Sequence, residues 1–194
     1  MDIKKIWVEH RKRIWDILLL GLLLLIFFSP NAKTWIMKQI VSTGLLKAEI
    51  KKVKSDSSST KAIFSFKDST GKMVSTDDLK GKIVFINFWA SWCPPCRAEM
   101  PSLENLYQKL KTDKRFVFVF INEDDDQSKA KKFLEEHNYS LPFFTRSGNV
   151  PANIFEGTLP TSIVLNKEGA IVLKHEGMAS YDQESFLNQL KALL

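Results

Sequence analysis

The pentapeptide Trp92-Cys93-Pro94-Pro95-Cys96 holds the chain's only two cysteines, and it follows directly on an apolar run from Ile83 to Ala90. Such a run before a proline pair reads as a buried strand turning into a helix. Two sulfurs separated by two residues at that junction can close a small disulfide ring, so the pair can cycle between dithiol and disulfide. A redox cycle on this pair is the chemistry the sequence points to first.

With 194 residues, 44% of them hydrophobic, the chain can bury one core and is too short for two large ones. One globular domain with an appendage is expected. The net charge of +6 is unevenly placed: residues 1–61 carry 12 Lys/Arg and 5 Asp/Glu, residues 62–194 carry 16 and 17. The basic excess belongs to the N-terminal arm, so a nucleic-acid groove, which needs basic residues clustered on the folded domain, is not expected.

The arm has its own physical signature. No residue from Ile17 to Phe28 is charged, and extension from Ile14 to Trp35 gives a segment of the length that crosses a bilayer, about 20 residues. A secretory signal is the alternative. However, Ser29-Pro30-Asn31-Ala32 offers no clear pair of small residues at cleavage spacing, and no cysteine follows to accept a lipid. An uncleaved anchor is the expectation. Lys4, Lys5, Arg11, Lys12 and Arg13 on its N-terminal side place that end in the cytoplasm and the remainder outside. Trp7, Trp15 and Trp35 flank the apolar segment, where indoles favour the membrane interface.

The expected organisation is a basic cytoplasmic terminus over 1–13, an anchor over 14–35, a juxtamembrane segment and flexible linker over 36–61, and a domain over 62–194. Residues 34–46 carry apolar positions that suit a helix on the membrane surface or a frayed stretch. In the domain, 62–66 and 72–75 form a hairpin across Asp68-Ser69-Thr70-Gly71. Further strands are expected at 83–90, 116–121 and 141–144, with a late hairpin of 161–165 and 170–176, and helices at 95–111, 127–137 and 182–194. The fold class is α/β: a central mixed sheet with helices on both faces.

Phe88-Trp89-Ala90-Ser91-Trp92-Cys93-Pro94-Pro95-Cys96, then Glu99-Met100-Pro101 and much later Gly157-Thr158-Leu159-Pro160-Thr161, resemble the membrane-anchored thioredoxin-like proteins of bacterial envelopes, the TlpA and ResA group. The resemblance covers about residues 62–194 and implies a thioredoxin fold. It implies thiol-disulfide oxidoreductase activity with no cofactor beyond the redox-active Cys93–Cys96 disulfide. It also implies disulfide-bearing envelope proteins as clients, of the cytochrome c maturation or copper-site type, and a membrane thiol reductase as electron donor.

Cys93, just before a helix, is expected as the attacking sulfur, because helix N-terminal N–H groups and the dipole favour a thiolate. Cys96, one turn in and more shielded, would resolve the mixed disulfide. Pro94 and Pro95 suit a helix start but remove two donors that could have solvated the Cys93 thiolate, a lean toward a reductant. Glu99 lies three residues after Cys96 on nearly the same helix face. If buried, its pKa rises and it can take the Cys96 proton, the role the resemblance implies. Asn87 stands where ordinary thioredoxins carry a buried aspartate, which leaves Glu99 as the titrating group. The resemblance makes Pro160 cis and opposed to the cysteines, so that Thr158, Leu159 and Pro160, with Trp92, Pro94 and Pro95, would line the substrate site.

A zinc site would need about four ligands, and one Cys pair with scattered His10, His137 and His175 does not supply them. Glu123-Asp124-Asp125-Asp126 lacks the glycine and spaced ligands of a calcium loop and reads as a helix cap. Two functions stay beside the reductant reading: a disulfide-forming oxidant, and a module holding Cu(I) between two thiolates.

Overall fold

The structure is a computed structural model that describes residues 3–28, 30–43, 48 and 62–194. The linker expected before residue 62 lies, Ala48 apart, outside the described residues. Seven strands form one mixed sheet: β1 (Ser65–Asp68), β2 (Met73–Ser75), β3 (Ile83–Trp89), β4 (Phe116–Asn122), β5 (Phe143–Arg146), β6 (Thr161–Leu165) and β7 (Ile171–Glu176). Their spatial order is β2-β1-β5-β4-β3-β6-β7. The helices are α1 (Ile3–Phe28), α2 (Pro30–Ser42), α3 (Pro94–Leu110), α4 (Gln127–Glu136) and α5 (Glu184–Lys191).

β3 is central, parallel to β4 and antiparallel to β6, and all seven of its residues are buried. That is why its sequence is an unbroken apolar run and not an alternation. Its alternate residues still separate into two layers. Ile83, Phe85 and Trp89 pack with α3, α4 and α5 residues such as Met100, Phe133 and Phe186. Val84, Ile86 and Phe88 pack with Phe64, Phe66, Val150, Ile154 and Phe155.

The buried residues of α3, α4 and α5 therefore belong to one face, which corrects the expectation of helices on both. The steps β3 to β4 and β4 to β5 move in the same direction across the sheet, and right-handed crossovers put α3 and α4 on the same side. The return from β5 to β6 crosses the other face as an irregular segment, with Phe155 stacked on Phe88 at 4.2 Å between ring centroids. Strand and helix bounds of the domain otherwise fall within three residues of expectation, the largest differences being the start of β1 and the end of α5. A one-turn 3₁₀ helix at Thr76–Leu79, capped by Ser75 and Asp78 in reciprocal fashion, was not anticipated.

The segment expected to span a membrane is divided between α1 and α2. No helix among the described residues is long and apolar enough to cross a membrane. The uncharged stretch Ile17–Phe28 is about 18 Å long at 1.5 Å per residue, and Arg11, Lys12, Arg13 and Asp16 precede it in the same helix. The helix expected at 34–46 begins earlier, at Pro30, and packs against α3. Thr34 and Val41 are buried and Met37 and Lys38 half-buried, positions at helical spacing on one face, whereas Trp35 and Ile40 are exposed. Ala48 is buried in the cluster that includes both cysteines.

Candidate active site

The site lies where β3 ends and α3 begins. Cys93 is the N-cap residue of α3, in extended conformation, with Pro94 and Pro95 in the first helical turn. Cys93 and Cys96 form a disulfide with their Cα atoms 5.3 Å apart. The Cys96 N–H donates to Cys93 Sγ at 3.3 Å. Because Pro94 and Pro95 have no N–H, this is the single first-turn donor placed on that sulfur. Cys93 is 3% exposed and Cys96 fully buried, while Trp92 beside them is 65% exposed.

The loop before Cys93 is braced from β4. The buried Asp124 carboxylate accepts from the Ser91 N–H (2.8 Å), the Ser91 hydroxyl (2.6 Å) and Asn122 Nδ2 (2.6 Å). Three donors on one carboxylate fix the path of the chain into the cysteine turn. The acidic run thus divides its work: Asp126 caps α4 as expected, accepting the Ser128 N–H at 3.0 Å, and Glu123 pairs with Arg146 at 3.4 Å. Composition alone does not single out Asp124 from its neighbours. Arg97 lies over the Phe133 ring, 5.4 Å from its centroid. Lys38 of α2 has its ammonium pKa lowered by burial and by the Arg97 charge.

Glu99 is completely buried beneath the cysteine turn. Asn87 Nδ2 donates to Glu99 Oε1 at 2.8 Å, and the Ala179 N–H donates to Oε2 at 3.3 Å. Burial pushes its pKa from 4.5 up to about 8, against the two donors, which pull it down. No cation enters this balance, so a carboxyl at this depth is poised to exchange a proton near neutral pH. Asn87 is hydrogen-bonded in the core, as its neutral amide requires, and its Nδ2 also donates to Ser162 Oγ at 2.9 Å.

The Leu159–Pro160 peptide bond is cis. Phe88 pairs with Thr161 in the β3–β6 ladder, so Pro160 stands beside the end of β3 from which the cysteine turn departs. Pro160 is buried, Leu159 half-buried and packed on the cluster containing both cysteines, and Thr158 exposed, with its carbonyl accepting from the Thr161 hydroxyl at 2.7 Å. Gly157 supplies the positive φ of 95° that turns the chain into this segment. The site residues read from the sequence thus gather at one end of β3. Ser162, Tyr181 and Asp124, which complete the buried polar surroundings, were missed. For Ser162 the sequence offers only a hydroxyl residue ahead of the apolar run Ile163–Leu165, and its pairing with Asn87 across the ladder is visible only in the structure.

A central strand running into a redox CxxC helix, a cis-proline strand beside it and a buried glutamate beneath define a thioredoxin-like protein. Residues 52–190 match the Redoxin family model. The thiol-disulfide oxidoreductase ResA of Bacillus cereus is 34% identical over 125 residues, covering 63% of this chain and 72% of that one. The thioredoxin-like protein YneN of Bacillus subtilis is 34% identical over 116 residues, covering 59% and 68%. A structure described as a thiol:disulfide interchange protein DsbE of Chlorobium tepidum superposes with a TM-score of 0.58 at 30% identity, covering 70% of this chain and 99% of that one. The chain belongs to the Redoxin family, as a thioredoxin-like thiol-disulfide oxidoreductase of the ResA and TlpA type.

Proposed function

We propose that this oxidoreductase is a reductant that works outside the cytoplasmic membrane on disulfides of envelope proteins. The observation that carries the direction is the single N–H on Cys93 Sγ. A disulfide is a strong oxidant when its reduced form is stabilised, and a proline pair that withholds two donors from the thiolate favours the disulfide product instead.

In the forward reaction the Cys93 thiolate attacks one sulfur of the client disulfide, forming the mixed disulfide and expelling the client's other sulfur as a thiolate, which takes up a proton. Glu99 accepts the Cys96 proton, and the Cys96 thiolate then attacks Cys93 Sγ. The second client thiolate leaves, and the protein holds the Cys93–Cys96 disulfide. Two electrons pass to the client, and a membrane thiol reductase returns them, because the cytoplasmic thiol pool does not reach that side. Exposed Trp92, the flanking Pro94 and Pro95, and Thr158, Leu159 and Pro160 form the client-facing wall. Clients of the cytochrome c maturation or copper-site type fit the family resemblance.

The extracytoplasmic reading rests on the arm. Its support is the basic flank before residue 14, the exposed apolar positions from Ile17 to Leu24 on α1, and the interfacial tryptophans. It requires the apolar stretch to recruit flanking residues from Ile14 to Trp35 to reach across the bilayer.

The deciding experiment captures mixed disulfides on Cys93 in a Cys96→Ser variant expressed in its own host, and identifies the attached proteins. Envelope proteins with paired cysteines are expected. Capture of cytoplasmic proteins alone would overturn the location, and an empty Cys93 would overturn the attacking role. A topology reporter fused after Thr60 tests the anchor independently, and a reporter active only in the cytoplasm would refute it.

A further inference from the structure

Glu99 is held by a polar cluster that reaches well past its first neighbour. Asn87 on β3 and Ser162 on β6 are directly opposed in the antiparallel ladder, so their side chains share the face that α3 covers. Asn87 Nδ2 divides its two hydrogens between Glu99 Oε1 at 2.8 Å and Ser162 Oγ at 2.9 Å. The other end of the same amide is unpaired: Asn87 Oδ1 is buried without a hydrogen-bond partner. The amide therefore owes its orientation entirely to the two acceptors on its nitrogen side.

We propose that Ser162 is a positioning residue that keeps the Asn87 amide turned with its N–H groups toward Glu99. The reversed amide would present Oδ1 to Glu99, where it can accept only from a protonated carboxyl. One orientation thus favours the carboxylate and the other the neutral acid, and Ser162, with its oxygen accepting from Nδ2, supports the first. A hydroxyl can accept from Asn87 only if its own hydrogen points elsewhere. Beside Ser162 stand Tyr181, whose buried hydroxyl feels Ser162 but closes no hydrogen bond of ordinary geometry, and His175, opposite Ser162 in the β6–β7 ladder with its Nε2 buried and unpaired. Tyr181 stays neutral, its pKa raised by burial and by Glu99.

The titratable groups around Glu99 are few. The connection before α5 presents Tyr181, and α3 presents the cysteine pair one turn earlier. The sheet presents neutral Asn87 and Ser162 and, one strand further on β7, the titratable His175 opposite Ser162, and Ala179 presents a main-chain N–H. Among them only Asn87 and Ala179 donate to the carboxyl, so the direction of the amide bears directly on it, and His175 is the one group that can add positive charge behind Ser162. Ser162 rests on the reading of Glu99 as proton acceptor for its kinetic consequence, though not for its effect on the carboxyl itself.

The test is carboxyl ¹³C NMR of the Glu-labelled disulfide form of the full chain, titrated with pH, with a Glu99→Gln spectrum assigning the signal. Ser162→Thr and Ser162→Val fill the same volume and differ in the hydroxyl alone. Ser162→Val is expected to raise the Glu99 midpoint by about 0.5–1 pH unit, and Ser162→Thr to keep it near wild type. Asn87→Ala should raise it similarly, and the Ser162→Val, Asn87→Ala double variant should move it no further than either alone. Equal midpoints for the Thr and Val variants would overturn the proposal, and so would additive shifts in the double variant. The rate of mixed-disulfide resolution against pH separates the two readings. If Glu99→Gln leaves that profile unchanged while Ser162→Val still moves the carboxyl, the positioning role stands and the proton-acceptor role of Glu99 falls.

Discussion

Replacing Glu99 by Gln keeps the side chain's shape and removes its titration, so the variant isolates what a buried carboxyl does to stability. In the folded disulfide form the Glu99 pKa is raised from 4.5 to about 8, chiefly by burial. Below pH 4.5 the group is neutral in both folded and unfolded chains and adds no pH dependence. Between 4.5 and about 8 the unfolded chain releases this proton while the folded chain keeps it, so stability falls as pH rises and levels off above about 8. The full fall corresponds to on the order of 5 kcal/mol. Urea unfolding of the disulfide form from pH 4 to 9, followed by tryptophan fluorescence, measures it for both proteins. The difference between Glu99→Gln and wild type should be small and flat near pH 4 and grow in favour of the variant by several kcal/mol toward pH 9. Other titrating groups cancel in that difference. A difference constant within about 0.5 kcal/mol over the whole range would show that Glu99 is not held neutral in the core.

Three further perturbations follow from the same geometry. Asp124→Ala removes the acceptor of three hydrogen bonds and should cost about 1–3 kcal/mol in urea unfolding while slowing formation of the mixed disulfide; a variant as stable and as fast as wild type would remove the bracing role. Trp92→Ala, at an exposed position, should change stability by less than about 0.5 kcal/mol yet raise KM for a protein disulfide and leave reduction of a small disulfide unaffected. An unchanged KM would take Trp92 out of the client-facing wall. Val41→Asp places a carboxylate in the packed face of α2 and should release that helix from α3, so trypsin should cut at half-buried Lys38 faster than in wild type; equal cleavage rates would contradict the packing.

Much of this fold was legible because its central elements are unambiguous. Ile83–Trp89 and Phe116–Asn122 are apolar on both sides since layers cover both faces, and a proline pair stops one of them at a helix start. The cysteine pair, Glu99 and Pro160 were legible because motif spacing marks them. Which face a helix covers was not, since it depends on the direction of each crossover and so on strand order. The Ser162 and Asp124 contacts depend on register and on loop path, which bring together residues 75 and 33 positions apart. Periodicity carries no information at that range. The packing of α2 on α3 was hidden for a related reason: α2 has apolar residues on two sides, and its sequence does not say which side meets the domain.

The direction of electron flow is tested most directly by the reduction potential of the Cys93–Cys96 pair, measured in glutathione redox buffers at pH 7. A proline pair that leaves one N–H on the Cys93 sulfur predicts a potential near the thioredoxin end, about −270 mV. A value near −120 mV, about that of a strong disulfide-forming oxidant, would contradict the reductant reading.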